Sequence, residues 1–184
     1  MLLVPAGSLE AYRTSEGWSL FERTGIIGDP ASIPNFGSLI WSLKDGVLTV
    51  NGSGTMPDDY PPPWYEYKNG IISVIIGNDV SSICRNAFSN CSKLTSVTIG
   101  RSVETIGDDA FNNCSSLTEI VNYRETPQII REHVSNSNHM GYIYIGAFHD
   151  VKKSECVLHV PVISLETYRT AEVWKDFVNI KPIQ

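Results

Sequence analysis

Charge is scarce in this chain, and so are the features that usually announce chemistry. Of 184 residues only 18% are charged, and the balance is −6. Electrostatic binding to nucleic acid needs a basic stripe that neutralises phosphates, and an acidic chain without one excludes that partner. No apolar run approaches the roughly 18 residues that a membrane-spanning helix needs. The four cysteines, Cys84, Cys91, Cys114 and Cys156, form no C-x-x-C pair of the kind that holds zinc. Neither a G-x-S-x-G elbow nor a P-loop occurs. His133 and His139 lie six apart, which matches no strong ligand motif, and His149 stands alone. Cys156 and His159 suggest a nucleophile and base. Both fall on what reads as the final strand, three apart, so their side chains are expected on opposite faces, and no orienting third group is marked. No enzyme, metal site or cofactor is therefore expected.

What the chain does have is repetition. SVIIGNDVSSICRNAFSNCSKLT is followed at once by SVTIGRSVETIGDDAFNNCSSLT. Val74 returns as Val97, Ile76 as Ile99, Val80 as Val103 and Ile83 as Ile106. Ala87 and Phe88 return as Ala110 and Phe111, Cys91 as Cys114 and Leu94 as Leu117, each 23 residues on. A period of about 20 to 29 residues with apolar positions spaced L-x-x-L-x-L signals a leucine-rich repeat. One such unit cannot bury its apolar side alone, so neighbours stack and the recurring residues form columns. Cys91 and Cys114 share one column position, which reads as two buried free thiols and not a disulfide. Side chains between the core positions alternate outward. Ser73, Ile75, Ser96, Thr98, Glu119 and Val121 are thus expected on the exposed sheet face, as the binding residues.

The AF-x-x-C-x-x-L-x-x-V-x-I cadence closely resembles the BspA-like leucine-rich repeats of bacterial surface proteins. WSLKDGVLTVNGSGTM with PPWYEY resembles that family's N-terminal cap, and residues 122–130 and 146–161 resemble its last repeat. The resemblance implies an α+β solenoid, carried by a cell-surface or secreted protein that binds host proteins, other bacteria or extracellular polymers. Residues 1–5 lack the basic start and apolar core of a signal peptide. Since the family is exported, the chain is expected to be a fragment of a longer one.

A second repeat joins the two ends. Leu2, Val4, Pro5, Ser8, Leu9, Glu10, Tyr12, Arg13, Thr14, Glu16, Trp18 and Phe21 all recur 156 residues later. The later copy, residues 157–184, reads as a C-terminal cap: a strand, a Pro stop, then a helix N-capped by Ser164 with Glu166 in its first turn. The earlier copy, residues 1–27, reads as the closing cap of an upstream repeat domain. It is expected to pack on the outside of the domain or on another copy of the chain. Residues 28–37 read as linker and 38–70 as an N-terminal β-hairpin cap turning at Lys44-Asp45-Gly46. Residues 71–156 carry the repeats.

The remaining motifs each allow a chemical and a structural reading. Tyr60, Trp64, Tyr65 and Tyr67 lie on a Pro-rich loop that could stack sugars or peptides. The preferred reading pins that loop over the open end of the first repeat. Gly52-Ser53-Gly54 lacks the Lys and helix of a phosphate site and reads as a turn. Asp58-Asp59 reads as a solvated turn and not a calcium ligand pair. The glycosylation-like triplets at Asn51, Asn90 and Asn113 read as structural positions. Ala147-Phe148 follow Ala110-Phe111 by 37 residues, 14 too many, and the surplus is placed in residues 131–144. Solenoid insertions often project from the binding face, so His133, Asn136, Asn138, His139, Tyr142 and Tyr144 are further binding candidates.

Overall fold

The computed structural model describes residues 36–58, 61–130 and 146–184. In chain order its elements are β1 (Leu39–Lys44), β2 (Val47–Gly52), β3 (Gly54–Thr55), β4 (Ser73–Ile76), β5 (Val80–Ile83), β6 (Ser96–Ile99) and β7 (Thr105–Ile106). There follow β8 (Glu119–Asn122), β9 (Ile129–Ile130), β10 (Val157–Val160), the helix α1 (Leu165–Thr170) and β11 (Asn179–Pro182). The strands β1-β2-β4-β6-β8-β10-β11 form one sheet, parallel from β2 onward, and β3-β5-β7-β9 form a second parallel sheet.

Each turn of chain visits the large sheet, a corner, the small sheet and a side made of tight turns. That third side is also bonded between neighbours. Phe88 N donates to Ala110 O at 2.8 Å, Asn90 N to Asn112 O at 2.8 Å and Phe111 N to Ala147 O at 2.8 Å. The parallel register stacks Leu48, Val74, Val97, Ile120, Leu158 and Ile180 into one buried column. Val74 and Val97 are adjacent rungs, as the repeat requires.

A second column is aromatic. Trp64 stacks on Phe88 (ring centroids 5.7 Å), Phe88 on Phe111 (5.3 Å) and Phe111 on Phe148 (5.1 Å), and Trp174 and Phe177 meet Phe148 edge-on. Such pairs contribute about 0.5–1.5 kcal/mol each beyond their burial. At one edge β1 and β2 form a hairpin whose two-residue turn places Asp45 at φ 50 and Gly46 at φ 80. Positive φ at both central residues gives the turn a twist that matches its strands. Phe36, within the stretch read as linker, is buried against Trp64.

The opposite edge departs from expectation in two ways. β10 is not the final strand: β11 pairs with it in parallel and forms the edge. Ser164 sits at the N-cap of α1, but its hydroxyl makes no capping bond and is buried after a 3-10 turn. What fixes this region is docking. Tyr168 OH donates to Arg124 O at 2.9 Å and Trp174 Nε1 to Gln128 O at 3.1 Å. Residues 1–27 lie outside the described residues.

Candidate functional site

The outer face of the large sheet carries the six expected residues in two rows. Ser73, Ser96 and Glu119 are in register across β4, β6 and β8, as are Ile75, Thr98 and Val121. Ser96 Oγ donates to Ser73 Oγ at 2.9 Å, which fixes both hydroxyls along the row. Ile75 is 38% exposed, an apolar side chain held at the surface by strand alternation. The second row continues to His159, whose Nε2 lies 3.4 Å from Glu119 Oε1 and whose Nδ1 faces Pro182 O at 3.4 Å. Cys156 lies before β10 and is buried, with its thiol pushed up to about 12 by desolvation. Cys156 and His159 are therefore no nucleophile and base.

The aromatic loop does not form a stacking platform. Trp64 is 1% exposed, donates Nε1 to Ala87 O at 2.7 Å and is the first rung of the aromatic column. Tyr65 lies under Lys68 Nζ at 3.8 Å, and Tyr67 packs on Trp41 while 42% exposed. Tyr60 lies outside the described residues. Asp58 is engaged: its Oδ1 accepts from Arg85 N at 2.9 Å.

The inserted-loop residues His133, Asn136, Asn138, His139, Tyr142 and Tyr144 also lie outside the described residues. Their attachment points do not. The chain leaves the repeat at Ile130, on β9 of the small sheet, and rejoins it at Gly146. Those points belong to a different side of the solenoid from the large sheet.

The register also corrects the position of the surplus. Ile99 pairs with Asn122 at the repeat spacing, but Thr105 pairs with Ile129, one residue beyond it. One of the 14 extra residues therefore falls in residues 123–128, before the loop.

That extra residue sits in a groove that sequence reasoning missed. It measures about 540 Å³ and is lined by Asn78, Arg101, Tyr123, Arg124, Glu125 and Thr126. Asn78, Arg101 and Arg124 occupy one corner position in three successive rungs, and this recurrence at 23 residues was the legible signal. Gly77 and Gly100 pack so closely at this corner that a Cβ on Gly100 would lie 2.2 Å from Gly77 O. The third rung has Tyr123 in that place, so its corner cannot nest in the same way.

Asn122, where earlier rungs have Ile76 and Ile99, is fully buried and exchanges amide bonds with Gln128 at 2.9 and 3.2 Å. Its Oδ1 also accepts from Arg124 N at 3.2 Å. Arg124 Nη1 donates to Arg101 O at 3.4 Å, and Nη2 is 4.0 Å from Glu104, which is 69% exposed. Arg124 Nε is buried without a hydrogen-bond partner.

Among the described residues no group of His, Cys, Asp and Glu has a metal-binding arrangement, and no helix is long and apolar enough to cross a membrane. None of the four cysteines is in a disulfide with another, and all four are buried. Asn113 Nδ2 donates to Asn90 Oδ1 at 3.0 Å, so those two triplets form an amide ladder between rungs.

Residues 64–147 match the family model described as BspA type leucine rich repeat region, in six copies. Among solved structures, the chain is similar to a leucine-rich repeat protein from Eubacterium ventriosum ATCC 27560, with 25% identity over 80% of this chain and 39% of that one, at a TM-score of 0.43. A leucine rich cell surface protein from Faecalibacterium prausnitzii A2-165 shares 25% identity over 69% of this chain and 36% of that one, with a TM-score of 0.32. The leucine rich repeat protein of T. pallidum shares 17% identity over 79% of this chain and 80% of that one, with a TM-score of 0.32. The chain thus spans less than half the length of the first two. No curated protein matches it.

Proposed function

From the match of residues 64–147 to the BspA type leucine rich repeat model, we propose that this chain is a non-enzymatic, adhesion-type module that binds a protein outside the bacterial cell. The observation that carries the reading is the outer face of the large sheet. Its two rows present Ser73, Ile75, Ser96, Thr98 and Val121, short or β-branched side chains without charge, with Glu119 as the third member of the first row. Such a face costs little to desolvate and offers a flat ladder to a partner. The hairpin at one edge and α1 with β11 at the other serve as caps, which a solenoid needs to cover its open ends. Cell-surface or secreted placement follows the matched family.

Size sets the expected strength. Six strand spacings of about 4.8 Å and four residues of about 3.3 Å give a face on the order of 400 Å². A standard interface takes about 800 Å² from each partner. The face alone supports weak binding, and useful affinity requires the inserted loop or further repeats acting together. The same small area favours the second reading, an architectural spacer in a longer surface protein. A sugar-binding role for the aromatic loop lacks that support, because Trp64 is buried.

The test is capture of extracellular host and bacterial-surface proteins by the intact chain, by Ile75→Glu and by a variant lacking residues 131–144. Loss of a captured partner with Ile75→Glu supports the sheet face. Capture unchanged by Ile75→Glu overturns it, and no capture by any form leaves the spacer as the better reading.

A further inference from the structure

Three departures from the repeat coincide at one corner: Tyr123 in place of Gly, Asn122 in place of Ile, and one additional residue before β9. Each has a cost in a stacked solenoid. A Cβ at this corner cannot take the place that Gly100 takes against Gly77, and a buried amide pair replaces apolar packing with groups that must all be satisfied. Together they open the polar groove between rungs and fix its wall. Tyr123 N is held by Ile99 O at 3.0 Å, Arg124 N by Asn122 Oδ1 and Arg124 O by Tyr168 OH.

We infer that this groove is a binding site for a carboxylate-bearing sugar residue of the uronate or sialate type. Two arginines on adjacent rungs flank it. Arg101 is exposed and has no ion pair among the described residues, and Arg124 has only the long contact to Glu104. The exposed Arg101 guanidinium is the fork that can match a carboxylate bidentately, and the Arg124 guanidinium, held on Arg101 O and near Glu104, adds positive charge behind it. Tyr123, 45% exposed, offers a ring face to the apolar side of a pyranose. Glu125, Thr126 and Asn78 supply acceptors for ring hydroxyls. An acidic peptide would satisfy the arginines but would leave Glu125 opposing it, and this favours a ligand with one carboxylate and several hydroxyls. A volume near 540 Å³ accommodates one to a few sugar residues. The site lies at a corner and is independent of the protein-binding sheet face, so either can fail without the other.

The experiment is saturation-transfer NMR on the full chain at millimolar ligand. The acidic arm uses galacturonate and N-acetylneuraminate, and the control arm uses galactose, the methyl ester of each acid and a poly-Glu peptide. The expected result is saturable transfer from the acids, little from galactose or the esters, and about tenfold weaker binding in Arg101→Gln and in Tyr123→Ser. Arg101→Gln alters only an exposed side chain, so an unchanged melting curve separates lost binding from lost fold. Absence of binding by both acids overturns the proposal. Equal binding of acid and neutral sugars, indifference to both variants, or binding of poly-Glu in place of the acids overturns it as well.

Discussion

Phe111 and Phe148 stack with ring centroids 5.1 Å apart and planes within 4°, although 37 positions separate them in the chain. The aromatic column therefore ignores the insertion between them. By the register on either side, thirteen of the surplus residues fall in sequence between Ile130 and Ala147. Loop-closure entropy grows only logarithmically, by about 0.6 kcal/mol per doubling. Excision of residues 132–144, which restores the four-residue step from Ile130 to Ala147, should thus change stability by no more than about 1–2 kcal/mol, read by urea unfolding. Phe111→Ala, which breaks the column, should cost about 3–5 kcal/mol in the same assay.

The Asn122–Gln128 pair gives a second test. Asn122→Ile returns the rung to the residue type of Ile76 and Ile99, yet it leaves the Gln128 amide and Arg124 N without their partner. An orphaned buried polar group costs roughly 1–3 kcal/mol. Asn122→Ile should therefore destabilise the protein despite being more apolar. Asn122→Ile with Gln128→Leu should recover most of the loss, and a double-mutant cycle in urea measures the coupling.

Burial of the thiols predicts both reactivity and pH dependence. Desolvation pushes the Cys91 thiol from its ordinary 9.0 up to about 12, against a small lowering by Lys68, and it raises Cys114 also. Thiolate is the reactive form, so at pH 8 a thiol reagent should label these residues only after denaturant is added. Above pH 9 the unfolded chain releases the thiol proton while the folded chain keeps it. The folded state then binds more protons, and stability falls as pH rises from about 9 towards about 12. Cys91→Ala should flatten that alkaline decline, with the unfolding midpoint followed against pH.

The large sheet was legible because its inward residues recur at a fixed spacing and alternate along each strand, as Val74, Ile76, Val97 and Ile99 do. The small sheet was not. Its strands run two to four residues, and Val80 and Ile83 lie three apart, which does not read as alternation. β11 offered a single buried residue, Ile180, in a stretch ending at Pro182. Its place as edge strand comes from tertiary pairing. Ser164 carried a sound local signal as a cap, overridden when docking of Tyr168 and Trp174 buried it. The groove escaped notice because corner positions are polar. Asn78, Arg101 and Arg124 repeat at the unit spacing, but only the apolar recurrences point to stacking.

The segment after α1 contains a strained residue whose substitution should invert a familiar order. Val173 has φ 68 and ψ −47, and Trp174 N donates across it to Glu172 O at 2.8 Å. This is a γ-turn with positive φ, an arrangement that is rare and strained for a β-branched residue. It swings Trp174 inward against Phe148 and the Gln128 carbonyl. The sequence copy at residues 1–27 has Gly17 at the equivalent position. Val173 is buried, so Val173→Gly and Val173→Ala both lose apolar contact. Only Gly removes the Cβ that makes positive φ unfavourable, a relief of roughly 1–2 kcal/mol. Val173→Gly should therefore be the milder substitution by about 1 kcal/mol, whereas at Val97, in ordinary strand conformation, Gly should be the harsher by a similar amount. Urea unfolding of the four variants decides it, and a Val173→Ala protein more stable than Val173→Gly would remove the strain from this account.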